Sequence, residues 1–389
     1  MFKLLIFISI FSIGNLFASA KTEKTSKVLQ YDRAMTHTVA KEKNIQYHSP
    51  FKAPFRLSGF AYGLQDGLLS RFPSDPALPK SVQFLATHCA GGRIDFKTDS
   101  RKILIKVELR NSSHMYHMPD TGSCGCDVYM GEPGKEFFVG VTKFRTGSDS
   151  YTCQVPQKAF ETKKIRNFTI NLPLYSGIKS IEIGLEKGAK ILEPAPWSSD
   201  SPIVVYGSSI TQGGCASRPG MAYPAIISRK LNRPVLNFGF SGNGKGEAIV
   251  AEYLAKIADP ALYLLDYEPN AHPAGIRQTL STFLDILRTK HPETPIIQMS
   301  RLRFIYDVPV TESTVTKTDS MIESIKFQQN EILRRQNAGD KNIYFLSGAE
   351  LCGENWHEYS VDGTHQTDLG FSVIAKGLIE KMKAWDLIK

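Results

Sequence analysis

The sequence predicts an α/β protein in two parts: a C-terminal parallel sheet covered by helices on both faces, preceded by an N-terminal β-sandwich. Three observations carry that expectation. The chain has 389 residues, more than a single core usually absorbs. Up to about residue 190 its apolar positions alternate in short runs punctuated by Gly and Pro. Beyond a proline-rich break, short apolar runs alternate with longer helix-like stretches. A composition of 42% hydrophobic and 22% charged residues excludes disordered and fibrous classes.

The first twenty residues read as a cleaved export signal. Lys3 supplies a positive start, Leu4 to Phe17 an apolar stretch, and Ala18-Ser19-Ala20 a small-residue cleavage site. That stretch is short of the ~20 apolar residues a spanning helix needs. No Cys follows it, which argues against a lipid anchor, and no later stretch is apolar enough to span a bilayer. The expected location is periplasmic or extracellular. Six cysteines, at 89, 124, 126, 153, 215 and 352, are permitted to form disulfides there, and their pairing is not readable from spacing. The net charge of +9 is interleaved with acids, as in Lys41-Glu42-Lys43. It describes a solvated surface and not a nucleic-acid footprint.

Residues 21–45, rich in Lys and Thr, read as a poorly ordered lead-in. A β-sandwich is expected over 46–190, with strands at 103–109, 137–141, 168–172 and 180–185. Residues 191–202 contain Pro194, Pro196 and Pro202 and form the expected linker. From 203 to 389, strands are expected at 203–206, 235–238, 262–266, 296–299 and 343–346. Helices are expected around 221–231, 245–257, 275–290, 316–338 and 368–387.

In parallel sheets of this kind, ligands sit beyond the carboxyl ends of the strands. Four polar or Gly-rich segments stand there: 207–214, 237–244, 266–270 and 362–365. Asp362 and His365 are close enough in sequence for the carboxylate to hold one ring N–H and fix the tautomer. The other ring nitrogen can then accept a proton from Ser209, the arrangement that acyl transfer requires. Donors for the developing oxyanion are the backbone N–H of Ser209, the backbone N–H of Gly242 and the side-chain amide of Asn270. Glycine at 242 lets the main chain approach a substrate closely.

Segment by segment, these residues resemble the SGNH hydrolases, also called the GDSL superfamily. The first block matches Gly207 to Ile210, the second Asn237 to Gly242, the third Glu268 to Asn270 and the fifth Asp362 to His365. Ser208 stands where the family usually has Asp, and the third block has Glu268 and Ala271 in place of its usual Gly and Asp. A subgroup with an N-terminal β-domain carries a Gly-x-Asp-Leu-Tyr signature, which Gly125-Cys126-Asp127-Val128-Tyr129 resembles. The resemblance implies a flavodoxin-like three-layer sheet, Ser209 as nucleophile, His365 as base and Asp362 as its orienter. It implies an oxyanion hole of Ser209, Gly242 and Asn270, and no metal or organic cofactor.

Other readings of these residues are weaker. Ser209 alone would pass for a helix cap. Ser241, among glycines, misses the Gly-x-Ser-x-Gly elbow because residue 243 is Asn. Gly239, Gly244 and Lys245 approach a phosphate loop, but Gly246 stands where a hydroxyl must reach Mg²⁺. Gly242, Gly244 and Gly246 have the wrong spacing for a dinucleotide fingerprint. His114, His117, Cys124 and Cys126 lack a common zinc spacing. His272, His357, Lys245 and Arg218 could line the crevice, with a surface or packing role as the default.

The expected function is an exported serine esterase acting on a small acyl ester or an acylated carbohydrate. An acyltransferase with the same triad and a non-catalytic carbohydrate- or surface-binding protein are the alternatives. No nucleic-acid partner and no stable membrane insertion are expected, and oligomeric state is not readable.

Overall fold

The computed structural model describes residues 42–308 and 312–388, with four positions upstream, 31, 32, 36 and 40; of 312–318 it describes the backbone alone. The expected export signal and most of the lead-in lie outside the described residues. The first strand starts at Ile45.

Up to Leu192 the chain forms β1 (Ile45–His48), β2 (Arg56–Ser58), β3 (Leu64–Gln65), β4 (Leu68–Leu69), β5 (Arg93–Thr98), β6 (Ile103–Leu109), β7 (Asp127–Met130), β8 (Phe137–Val141), β9 (Ser150–Gln154), β10 (Arg166–Asn171), β11 (Ile178–Glu186) and β12 (Ile191–Leu192). Two antiparallel sheets result, β1-β11-β6-β9 and β12-β5-β10-β7-β8, with β2 also paired to β5. They enclose one apolar core. Ile103, Ile105, Val107 and Leu109 of β6 meet Ile94 and Phe96 of β5, Val128 of β7 and Ile170 of β10 there. The period of two along β6 is what sends those four side chains to one face.

Two features depart from the sequence expectation. A helix, α1 (Lys80–Ala86), stands inside the β-rich region, followed by a single turn, α2 (Asp120–Ser123). Phe72, Leu78, Val82 and Leu85 around α1 pack into a core of the C-terminal sheet, so they answer to a distant partner and carry no strand alternation. Ile191 and Leu192, expected in the linker, pair with Thr98 and Lys97 as an edge strand.

The C-terminal part contains β13 (Ile203–Gly207), β14 (Val235–Gly239), β15 (Leu262–Asp266), β16 (Ile296–Met299) and β17 (Ile343–Leu346). All pairings among them are parallel, in the order β14-β13-β15-β16-β17. Its helices are α3 (Ser209–Gln212), α4 (Tyr223–Leu231), α5 (Ala248–Ala255), α6 (Glu268–Lys290), α7 (Glu312–Asn337), α8 (Gly348–Cys352) and α9 (Asp368–Ala384). Ile203, Val205, Leu262 and Leu264 face one core with α4 and α9. Val204, Tyr206, Tyr263 and Leu265 face the opposite core with α5 and α6. Strands buried on both faces read as continuous apolar runs, which is why all five were visible in the sequence. The sheet is thus covered on both sides, and no helix among the described residues is long and apolar enough to cross a membrane.

The β-rich region and the parallel sheet belong to one compact unit. Asp127, fully buried at the start of β7, accepts from the Asn171 amide at 2.8 Å, the Gly220 N–H at 2.9 Å and Arg218 Nη1 at 3.0 Å. Arg218 also donates to the Tyr129 hydroxyl and lies 3.8 Å from the centre of the Phe138 ring. The Gly-x-Asp-x-Tyr stretch therefore grips the loop that leads from α3 to α4. Asp127→Ala leaves a cation and an N–H without their acceptor, and should cost about 3–5 kcal/mol. A lowered denaturant midpoint with an unchanged slope is the expected readout.

Candidate active site

The chain turns sharply from β13 into α3, and that turn demands glycine at 207. A Cβ there would lie 2.1 Å from Thr211 Oγ1 and 2.4 Å from the Asp266 carbonyl oxygen. The tight turn places Ser208 at the N-cap, where its hydroxyl accepts from the Ile210 N–H at 3.2 Å, and Ser209 at the first helical position. Capping thus falls to Ser208, and the Ser209 side chain is free for another partner.

That partner is His365. Ser209 Oγ lies 2.9 Å from His365 Nε2, and His365 Nδ1–H donates to Asp362 Oδ2 at 2.8 Å. With the carboxylate holding the Nδ1 proton, Nε2 is left as an acceptor for the serine hydroxyl. The other Asp362 oxygen accepts the backbone N–H groups of Thr364 at 3.0 Å and His365 at 2.8 Å, so a local turn sets the spacing of the two residues. Burial works to raise the Asp362 carboxyl. The His365 N–H groups and the Thr364 N–H outweigh it and hold the carboxyl below its usual range.

The expected oxyanion donors are placed differently from one another. The Ser209 N–H begins a helix, and helix-starting N–H groups have no intrahelical acceptor. Gly242 has φ +66, and a Cβ there would meet nothing within 4 Å, so this backbone faces open space. The side chain of Asn270 is otherwise engaged: its amide nitrogen donates to the carbonyls of Phe240, at 3.0 Å, and of Asn243. Both amide hydrogens are thus directed at carbonyls on either side of Gly242. Glu268, the departure from the family pattern, is buried and accepts from Arg301 N–H at 2.7 Å and Gln328 Nε2 at 2.9 Å. It anchors the start of α6 and leaves the crevice alone.

Several residues around this centre carry no signal in the sequence. Gln212 Oε1 accepts the Ser241 N–H at 3.0 Å, while its Nε2 donates to the Leu174 carbonyl at 3.0 Å. Gln212 Nε2 also lies 3.2 Å from His88 Nδ1. Burial, and then Arg71, push the His88 ring down to about 3, so it stays neutral. Arg71, fully buried, donates to the carbonyls of Asn237 at 3.0 Å and Gly239 at 2.6 Å and lies 4.7 Å from the centre of the Phe240 ring. The His117 ring packs edge-on against that of His365, with centroids 5.3 Å apart. All of these except Gln212 come from the β-rich region, more than a hundred residues before the blocks they touch.

The remaining sequence candidates fall elsewhere. Ser241 has no hydrogen bond to an imidazole among the described residues. His272, at φ 56, marks a kink in α6, and His357 lies beside Glu358 and Trp356. Neither is hydrogen-bonded to Ser209, Asp362 or His365. Lys245 is exposed and Arg218 belongs to the Asp127 grip. His114 is paired with Asp120 at 2.9 Å. All six cysteines are buried thiols.

Asp266, at the end of β15, accepts from Thr211 Oγ1 at 2.9 Å and the Tyr223 hydroxyl at 3.1 Å. Burial chiefly, with help from Glu268, pushes its carboxyl up to about 7. Unfolded, it ionises near 3.8. The folded state therefore holds an extra proton between those values, so this contribution to stability is full below the unfolded value and is lost as pH rises through about 7. Melting curves from pH 5 to 8 should show that decline, and Asp266→Asn should flatten it.

A serine, an imidazole and a carboxylate hydrogen-bonded in line beside a parallel sheet form the arrangement that acyl-transfer chemistry uses. Family comparison narrows this: residues 200–383 match the GDSL-like lipase/acylhydrolase family, and residues 45–191 match the N-terminus of SGNH-hydrolase-type esterases. A protein described as a GDSL-like lipase from Bacteroides ovatus is 34% identical, with a TM-score of 0.79 over 89% of this chain and 99% of its own. The chain belongs to the GDSL-like, or SGNH, hydrolase family. A salicylyl-acyltransferase from a tetracycline biosynthetic pathway shares the fold at 18% identity and a TM-score of 0.66, over 88% of this chain and 98% of its own. A family two carbohydrate esterase from Cellvibrio japonicus shares it at 13% identity and a TM-score of 0.54, over 88% and 98%. Among curated proteins none matches the chain.

Proposed function

We propose that this protein is an exported serine esterase that removes acetyl or other short acyl groups, with acylated carbohydrate as its substrate class. The observation that carries the reading is the continuous hydrogen-bonded line from Ser209 Oγ through the His365 ring to Asp362. Ser209 Oγ attacks the acyl carbonyl while its proton passes to His365 Nε2. The imidazolium, stabilised by Asp362, then protonates the departing alcohol, and water repeats the sequence on the acyl-enzyme. Backbone N–H groups of Ser209 and Gly242 would hold the oxyanion. Asn270 could add a third donor only by releasing a carbonyl it now holds.

The carbohydrate part of the proposal draws on the export signal expected at residues 1–20 and on the two-part layout shared with the Cellvibrio japonicus carbohydrate esterase. The proposed division is a β-sandwich domain followed by a flavodoxin-like, three-layer hydrolase domain, and what supports it is that separate family models match residues 45–191 and 200–383. Such likeness of fold does not fix a substrate, so the test is chemical. Purified mature protein should release acetate from acetylated polysaccharides and hydrolyse p-nitrophenyl acetate. Acyl product on an added sugar or alcohol, formed faster than free acid, would instead mark a transferase. No turnover on any ester would leave a binding protein.

A further inference from the structure

Besides Ser209 and Asp362, His365 has two neighbours that the proposed chemistry does not use. One ring nitrogen of His117, one ring nitrogen of His365 and the Cys215 sulfur all lie within 4.8 Å of one another. His117 comes from the loop before α2, Cys215 from the loop after α3, and His365 from the turn before α9. We propose that these three residues form a capture site for a soft or borderline transition-metal ion such as Zn²⁺, and that its occupation silences the esterase.

The donor set is the argument. Two imidazoles and one thiolate are ligands that suit zinc, with bonds near 2.0–2.1 Å to nitrogen and about 2.3 Å to sulfur. Three donors around one ion should lie roughly 3.3–3.6 Å apart in a tetrahedral arrangement, so closing from within 4.8 Å takes small side-chain shifts. Metal-bound histidines usually give their other N–H to a carboxylate, which fixes the tautomer and raises ligand basicity. Asp362 does this for His365 at 2.8 Å, and His117 Nε2 stands 3.9 Å from the same oxygen. His117 Nδ1 is buried without a hydrogen-bond partner, a lone pair or N–H with nothing to meet. The carboxylate that prepares His365 as a base prepares it equally as a ligand.

Binding must displace a proton. The S–H bond breaks, its proton goes to solvent, and the sulfur lone pair forms the bond to the ion. Once His365 Nε2 is bound to an ion it cannot accept the Ser209 proton, so acyl transfer stops. The inhibition, though not the binding, rests on the proposed triad.

Calorimetric titration of the full mature chain with ZnCl₂ after chelator treatment tests the site directly. One Zn²⁺ per chain is expected, together with loss of p-nitrophenyl acetate hydrolysis that EDTA restores. His117→Asn and Cys215→Ser should each weaken binding by at least about 10–100-fold, the loss already typical of outer-shell changes. Each variant's zinc sensitivity is measured against its own metal-free rate. Ser209→Ala should still bind zinc while hydrolysing nothing, which separates failure of the metal site from failure of the esterase reading. Absence of stoichiometric binding, or binding unchanged in both ligand variants, overturns the proposal. If Cys215→Ser does not fold, His117→Asn decides alone.

Discussion

Replacing Ser209 by alanine is expected to lower kcat for p-nitrophenyl acetate on the order of 10⁶-fold, the loss typical of a removed triad serine. Among the described residues the hydroxyl is hydrogen-bonded to His365 Nε2 at 2.9 Å, and the helix start is capped by Ser208 instead. Removing the oxygen from this buried residue takes away one hydrogen bond, so the stability change should stay within about 0.5–1.5 kcal/mol. Both quantities come from one preparation, by steady-state kinetics and a denaturant melt. Full activity in the variant would mean that another group attacks the ester. Ser241 would not inherit the role, since it has no imidazole beside it among the described residues.

Asp362→Asn should follow with a fall of about 10⁴-fold in kcat. The asparagine amide would donate to Nδ1 and push the ring proton onto Nε2, where the serine hydroxyl needs an acceptor. The substitution also removes a pH term. Because the carboxyl is held below its usual range in the folded protein, it contributes stability above its unfolded value that is lost as pH falls through the folded one. The variant should thus show less acid destabilisation than the parent while being nearly inactive near neutrality. A rate close to that of the parent would remove Asp362 from the assignment and leave Ser209 and His365 as a pair.

The parallel sheet was legible because its strands are buried on both faces, and such strands announce themselves as unbroken apolar runs. The helices were legible in place and less so in extent. The start of α6 at Glu268 was missed because Pro269 and Pro273 break the periodic pattern there. Much of the β-rich region was harder. Arg93–Thr98 and Asp127–Met130 form strands although each mixes charged with apolar residues. Arg93 and Asp95 are buried as a pair at 2.7 Å, so burial in β5 does not track hydrophobicity.

In the candidate site, Ser209, Gly242, Asp362 and His365 could be named from the chain because each stands in a short motif, the first two just after a strand and the last two in the turn before α9. Local chemistry suffices for that: a glycine where a Cβ would strike Asp266, a serine cap at 208, and an aspartate whose side chain folds onto its own following N–H groups. What surrounds them depends on which surfaces pack together. No pattern near residues 71, 88 or 117 says that Arg71 will hold the Gly239 carbonyl, that His88 will meet Gln212, or that His117 will lie against His365. Nor could spacing tell that both hydrogens of Asn270 would be taken by neighbouring carbonyls. Short-range geometry is written in consecutive residues, whereas contacts across more than a hundred positions are fixed only when two separately formed sheets bury their surfaces against each other.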